Sequence, residues 1–145
     1  MNFRRDESIM LAALTRRFFE QRESGGDLEV WGDGTALREY TYSRDMARAC
    51  LWCLDHFDGE GILNIGSTEE NSVATIASLV AESLGLDPDR IRFDRTKPGG
   101  IHRRPTDNST FVALSGFQYT PFREALQGTA RWFEDHVSIP GAVRL

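Results

Sequence analysis

Met10, Leu14 and Phe18 recur every fourth residue with Ile9 and Ala13 beside them, a spacing that predicts an amphipathic helix over residues 8–22, ended by Gly25 and Gly26. An apolar strand over 28–31 follows. The turn Gly32-Asp33-Gly34 and a second extended run over 37–42 read together as a hairpin. Ser43 is placed to cap a helix whose inward face is Met46, Cys50, Cys53, Leu54 and Phe57, and Asp58 to Gly61 closes it. A brief strand is expected over 62–65, running into Gly66.

Ser72 then caps a helix with Val73, Ile76, Ala77, Val80 and Leu84 facing inward, and Gly85 is its stop. Residues 90–94 alternate as a strand does. The segment 96–105 carries Pro98, Gly99, Gly100 and Pro105 and reads as a loop, the most basic stretch of the chain. In the last helix Thr120 caps, Pro121 opens, and Phe122, Leu126, Thr129, Phe133 and Val137 turn inward. No repeat, low-complexity tract or linker interrupts this order. The expectation is one small mixed α/β domain over 1–145, with about four helices and short strands.

Composition narrows the functional classes. Of 145 residues, 40% are apolar and 27% charged, the balance of an ordinary globular chain. No apolar run approaches the roughly 20 residues that span a bilayer, and MNFRRDESIM has no apolar stretch behind its charges. A cytoplasmic protein without membrane partners is therefore expected. Seventeen basic against 22 acidic residues give a net charge of −5, which disfavours nucleic acid as a partner and makes any anion site local. The basic residues are arginines except Lys97. Arginine's planar fork suits phosphate, although a GC-rich genome gives the same bias. Cys50 and Cys53 lie inside a helical pattern, away from a helix start that would activate a thiol, and read as buried core thiols. His56 is the one further ligand nearby in sequence, too few for structural zinc.

Three places could carry chemistry. Arg17 has its stem along an apolar stripe, so its guanidinium either meets an anion or pairs with Glu20 or Glu23. Trp31 and Arg38 flank the glycine turn and could offer an aromatic face and a guanidinium to one ligand, or be simple packing. The loop from Lys97 to Arg104 combines glycine freedom with the charges of Lys97, Arg103 and Arg104, as a phosphate-binding lid or a solvated basic loop.

These pieces, in order, resemble the carboxyl-terminal part of the GDP-L-fucose synthase family of extended short-chain dehydrogenases/reductases. The likeness runs from Asn2-Phe3 through Leu14-Thr15-Arg16-Arg17-Phe18, Val30-Trp31-Gly32-Asp33-Gly34 and Leu37-Arg38-Glu39-Tyr40. It continues through Asp45-Met46-Ala47-Arg48-Ala49, Leu63-Asn64-Ile65-Gly66 and Phe93-Asp94-Arg95-Thr96-Lys97-Pro98-Gly99-Gly100. The resemblance implies a substrate-binding domain that closes a nucleotide-diphosphate sugar against a separate Rossmann domain. It carries substrate contacts onto Arg17, Trp31, Arg38 and Lys97, with Arg38 on the diphosphate and Arg103 or Arg104 assisting.

The departures shape the expected function. No glycine-rich dinucleotide loop or βαβ unit is found, so a Rossmann domain is absent and the chain alone is expected to bind no cofactor; NADP enters only with a Rossmann partner. The family's Tyr-x-x-x-Lys pair is missing, since Tyr40, Tyr42 and Tyr119 are followed four residues on by Arg44, Met46 and Arg123. The family's catalytic histidine step reads Ser8-Ile9-Met10 here, and isoleucine transfers no proton. His56, His102 and His136 have no metal-site or relay spacing. The expected protein is a GDP-sugar-like binding module without a catalytic dyad. The alternatives are the substrate-binding subunit of a split NADP-dependent epimerase/reductase, or a self-associating, homodimeric remnant.

Overall fold

The computed structural model describes residues 2–4 and 8–144, the side chain of Glu23 excepted. Its first helix, α1 (Met10–Ser24), buries Leu11, Leu14, Thr15 and Phe18. Gly25 ends it in the left-handed region, at φ 72°, and donates its N–H to the Gln21 carbonyl, a turn that a side chain would strain. Strand β1 (Leu28–Trp31) alternates buried and exposed, so Leu28 and Val30 enter the core while Glu29 and Trp31 share the outer face.

The expected hairpin does not form. After β1 the backbone turns away at Gly32, and β2 (Leu37–Glu39) pairs antiparallel with β3 (Glu70–Ser72), a strand the sequence pattern did not announce. β1 pairs in parallel with β4 (Ile91–Asp94), Leu28 opposite Ile91 and Trp31 opposite Asp94. Parallel partners need a long crossover. Here it contains α2 (Ser43–His56) and α3 (Val73–Ser83).

Two expected caps are also replaced. Ser43 is already helical, and Tyr42 precedes α2 without a side-chain cap. Thr120 turns instead to the buried carboxylate of Asp45, donating its N–H to Oδ2 at 2.7 Å and its hydroxyl to Oδ1 at 3.1 Å. The final helix, α5 (Phe122–His136), receives its cap from afar, the Phe122 N–H donating to Glu69 Oε2 at 2.8 Å. Ser72 caps α3 as expected, accepting from the Thr75 N–H at 3.0 Å.

A fifth helix, α4 (Ser109–Ser115), buries Phe111 completely. Seven residues are too short to display a helical period, which is why its sequence reads as loop. Residues 62–65 are not a strand, and the inward face expected of α2 is largely outward: Cys50 and Leu54 are exposed and Cys53 only half-buried. The thiols are thus not core thiols. The main core lies where α3 packs on α1, β1 and α5, around Phe18, Ile76, Val80 and Leu126, with Phe3, Ala12, Phe133 and Val143 as a smaller cluster.

Candidate functional site

Trp31 ends β1 on its outer face, half exposed at 50%. Two cations converge on its indole. The Arg17 guanidinium carbon is 5.7 Å from the ring centroid and Lys97 Nζ 5.8 Å, each within cation–π reach. Glu29, two residues back on the same face, orients the cluster: its carbonyl accepts from Arg17 Nη1 at 3.1 Å, and its carboxylate accepts from the indole N–H at 3.0 Å. The strand's two-residue period could have revealed Glu29, since it puts Glu29 and Trp31 side by side.

Lys97 reaches the indole because β4 runs beside β1. Its loop leaves β4 through a turn in which Asp94 accepts from the N–H and hydroxyl of Thr96 at 2.9 and 2.6 Å. Those hydrogen bonds hold the Asp94 carboxyl below its ordinary range. The loop then presses on the turn after β1. A Cβ added to Gly32, whose φ is 85°, would lie 2.8 Å from the Gly99 Cα, so backbone meets backbone and a side chain has no room.

Arg38 joins the same loop but spends its guanidinium on it. Nη1 donates to the carbonyls of Leu37 and Ile101, both at 2.7 Å, and Nη2 to that of Gly99 at 3.4 Å. The Leu37 N–H donates to the His102 carbonyl at 2.7 Å, extending the strap along β2. Arg103 forms a fork with Glu70, two bonds of 2.7 Å, and that pairing lowers the Glu70 carboxyl. Thr106 donates its N–H to Glu39 at 2.9 Å. Arg104 is exposed, with no side-chain hydrogen bond among the described residues. Of the six candidate residues, Arg17, Trp31 and Lys97 therefore meet, Arg38 and Arg103 fasten the loop beside them, and Arg104 stands apart.

The concavities lie to either side. One of about 340 Å³ is lined by Ser8, Arg16, Arg17 and Gln21, and the Ser8 hydroxyl and the side-chain amide oxygen of Gln21 are buried there without hydrogen-bond partners among the described residues. Ile9, where the resemblance implies a histidine, is exposed. Another of about 420 Å³ lies between Tyr40–Arg44 and α5. Tyr40 and Arg44 both line it, yet burial pushes the Tyr40 phenol above its ordinary range, the opposite of what a proton relay needs. His56 and His136 stack on Trp52 and Trp132 within their own helices. The described residues contain no cluster of three metal-ligating side chains. None of their helices is long and apolar enough to cross a membrane.

Residues 2–66 match the NAD dependent epimerase/dehydratase family. Over 137 residues the chain is 36% identical to GDP-L-fucose synthase 1 of Arabidopsis thaliana, covering 94% of this chain and 42% of that one. The chain is homologous to the NAD dependent epimerase/dehydratase family. A dTDP-4-dehydro-6-deoxy-D-allose reductase of Streptomyces bikiniensis is 33% identical over 79% of this chain and 34% of its own length. The crystal structure of a GDP-L-fucose synthetase from Naegleria fowleri superposes with a TM-score of 0.92 at 28% identity, over 99% of this chain and 44% of that one. UDP-glucose 4-epimerase of Thermotoga maritima, at 24% identity and a TM-score of 0.74, shares the fold. This epimerase/dehydratase homologue thus has the small mixed α/β fold found within extended short-chain dehydrogenase/reductase enzymes. It spans about two-fifths of the length of the GDP-L-fucose synthases that it matches.

Proposed function

We propose that this chain is a binding module for a nucleotide-diphosphate sugar of the GDP-sugar type. The carrying observation is the pair of cations, Arg17 and Lys97, gathered within 6 Å of the half-exposed Trp31 with Glu29 as the acidic neighbour. Two cations beside a half-exposed aromatic face suit an anionic ligand, and a diphosphate meets those charges while the indole packs on the ligand's apolar surface. Arg38 serves by holding the loop. It turns to the diphosphate only by exchanging carbonyl acceptors for phosphate oxygens, a stronger, charge-assisted partnership. The similarity to GDP-L-fucose synthases supports this substrate class. In this reading the module is cytoplasmic, binds no nucleic acid and holds no cofactor by itself.

Calorimetric titration with GDP, GDP-mannose and UDP-sugars tests it. GDP ligands are expected to bind, and Lys97→Ala combined with Arg17→Ala to weaken them by at least about tenfold, the loss of one or two charge-assisted contacts. Absence of heat with every ligand at millimolar concentration, or affinity unaltered in the double variant, rules it out.

A second reading, a subunit of a split NADP-dependent epimerase/reductase completed by a Rossmann partner, is favoured by the uncovered apolar face of α2. There the partner holds NADP and supplies the proton-transfer groups, while this chain contributes the sugar-nucleotide contacts.

A further inference from the structure

Strand β4 is an edge. Among the described residues its one neighbouring strand is β1, which lies along one side of it. The Gly32 N–H donates to the Asp94 carbonyl at 2.9 Å. In a parallel ladder that bond fixes the phase: Arg92 and Asp94 turn their N–H and C=O groups toward β1, and Phe93 turns both of its own away. The Arg95 N–H, next in the outward phase, has no hydrogen-bond partner among the described residues. Arg92 and Arg95 are exposed, and Phe93 remains 37% exposed with its ring against Gly34. An open backbone of this kind accepts a further strand.

The order of side chains selects the strand that fits. Arg92-Phe93-Asp94, laid antiparallel on a second copy of itself about Phe93, sets each arginine opposite an aspartate. In that register the two Phe93 residues form the hydrogen-bonded pair, each N–H donating to the other's carbonyl, and each Arg95 N–H reaches the partner's Ile91 carbonyl. Arg92 and the partner's Asp94 form the closer pair, with both side chains on one face. A shift of one residue sets Arg92 against Phe93 and turns the backbone groups out of phase. A shift of two sets arginine against arginine or aspartate against aspartate.

The contacts that Arg92 makes within the chain are ones it can exchange. Its Nη1 donates to the carbonyls of Asp89 and Ile91 at 2.7 and 2.9 Å, and its Nε lies 3.9 Å from Asp27 Oδ2. Both Thr96 bonds fall on Asp94 Oδ1, leaving Oδ2 to the partner. A carboxylate is the stronger, charge-assisted acceptor. Glu29 and Trp31 lie opposite Arg92 and Asp94 on the outer face. Across the joined sheet that face therefore runs Trp31, Asp94, the partner's Arg92, the partner's Glu29, which brings a further cation toward the Trp31 site.

We propose that this chain forms a two-fold symmetric dimer in which β4 pairs antiparallel with β4 of a second copy, centred on Phe93 and tied by two Arg92–Asp94 ion pairs. Sedimentation equilibrium of the ligand-free chain tests it, in reducing buffer that keeps the exposed Cys50 from cross-linking. Residues 91–95 make a short contact, so the measurement is carried to about 1 mM protein, where weak associations are populated. A monomer–dimer equilibrium is expected. Arg92→Asp or Asp94→Arg alone weakens it at least about tenfold, because each sets like charges opposite one another twice. Mixing the Arg92→Asp chain with the Asp94→Arg chain restores a dimer containing one of each, since every facing pair is again of opposite sign.

A chain that stays monomeric at that concentration overturns the proposal, as does a dimer unaltered by Arg92→Asp or a mixture that remains monomeric. A dimer dissolved by Leu54→Asp in place of Arg92→Asp overturns it in favour of the apolar face of α2. Amide exchange of the unsubstituted chain serves where a variant does not fold. There the Phe93 and Arg95 amides gain protection as concentration rises, and exchange independent of concentration overturns the proposal. None of these measurements includes a ligand, so their failure leaves the nucleotide-sugar reading to its own titration.

Discussion

Residues 97–106 cross β2 under a series of polar ties, from Arg38 on the carbonyls of Gly99 and Ile101 to the Arg103–Glu70 fork and the Thr106 N–H on Glu39. Residues 58–66 and the outer face of α2 have apolar side chains in solvent, and the backbone of 58–65 has no hydrogen-bond partner among the described residues until Gly66, whose N–H donates to the Tyr119 hydroxyl at 3.1 Å. The contrast lies in what each region needs. Directional bonds are completed by a few local atoms, so this chain alone finishes the loop. An apolar face needs area, roughly 25 cal/mol for each Å² withdrawn from water, which only another folded surface supplies.

The comparison breaks first at the core that both regions rest on. Phe18 is fully buried among residues of α1, α3 and β1. Phe18→Ala is expected to cost about 3–5 kcal/mol in urea unfolding, because the ring's transfer energy is lost and a cavity remains. A loss below about 1 kcal/mol would mean that Phe18 is not packed as described.

The next largest effect falls on the junction between the regions. Asp45 roots α2 to the entry of α5 through Thr120, and Arg48 donates to it at 3.1 Å. Asp45→Ala leaves the Thr120 N–H and hydroxyl without their acceptor, at a cost of about 1–3 kcal/mol. Arg48→Ala, at an exposed partner, should be milder in the same assay. Equal losses for the two variants would show that the ion pair, and not the buried Thr120 bonds, holds the junction.

The loop side sharpens through pH. Arg103 holds the Glu70 carboxyl below its ordinary value of 4.5, so the tie is present above that value and is lost as pH falls through the lower, folded value. Trp31 fluorescence should therefore change in acid below pH 4.5 as the loop loosens, and Glu70→Gln should remove that step. A step that persists in Glu70→Gln belongs to another carboxylate, such as Asp94, which Thr96 also depresses.

How much was legible in the sequence follows the same division. Helices α1, α3 and α5 were readable because their apolar faces are satisfied inside the chain, and the pattern around Val73, Ile76 and Val80 has one place to go. The pairing of β1 with β4 was not, because a glycine turn beside two strands looks like a hairpin whichever strand supplies the ladder. Residues 62–65 were read as a strand and the apolar face of α2 as inward, yet 62–65 form no strand and the α2 face is largely outward, because a pattern records what a segment is suited to and not whether its partner is present. At the site, Arg17, Trp31 and Lys97 were found by residue type. The binding of Arg38 to loop carbonyls was not, since a guanidinium donates as readily to a carbonyl as to a phosphate.

The smallest expected effect is the sharpest test of the contrast. Leu54 has the size and chemistry of a core residue, and a buried leucine of this kind loses about 2–5 kcal/mol on truncation. At 82% exposure it has almost no contact to lose in this chain. Leu54→Asp should therefore change the stability of the isolated chain by less than about 0.5 kcal/mol, as surface substitutions do. Placed beside Phe18→Ala in one series of urea curves, it measures directly whether α2 is covered. A loss of 2 kcal/mol or more, on the scale of core truncation, would mean that in solution the face of α2 is already buried, and the two regions would no longer differ.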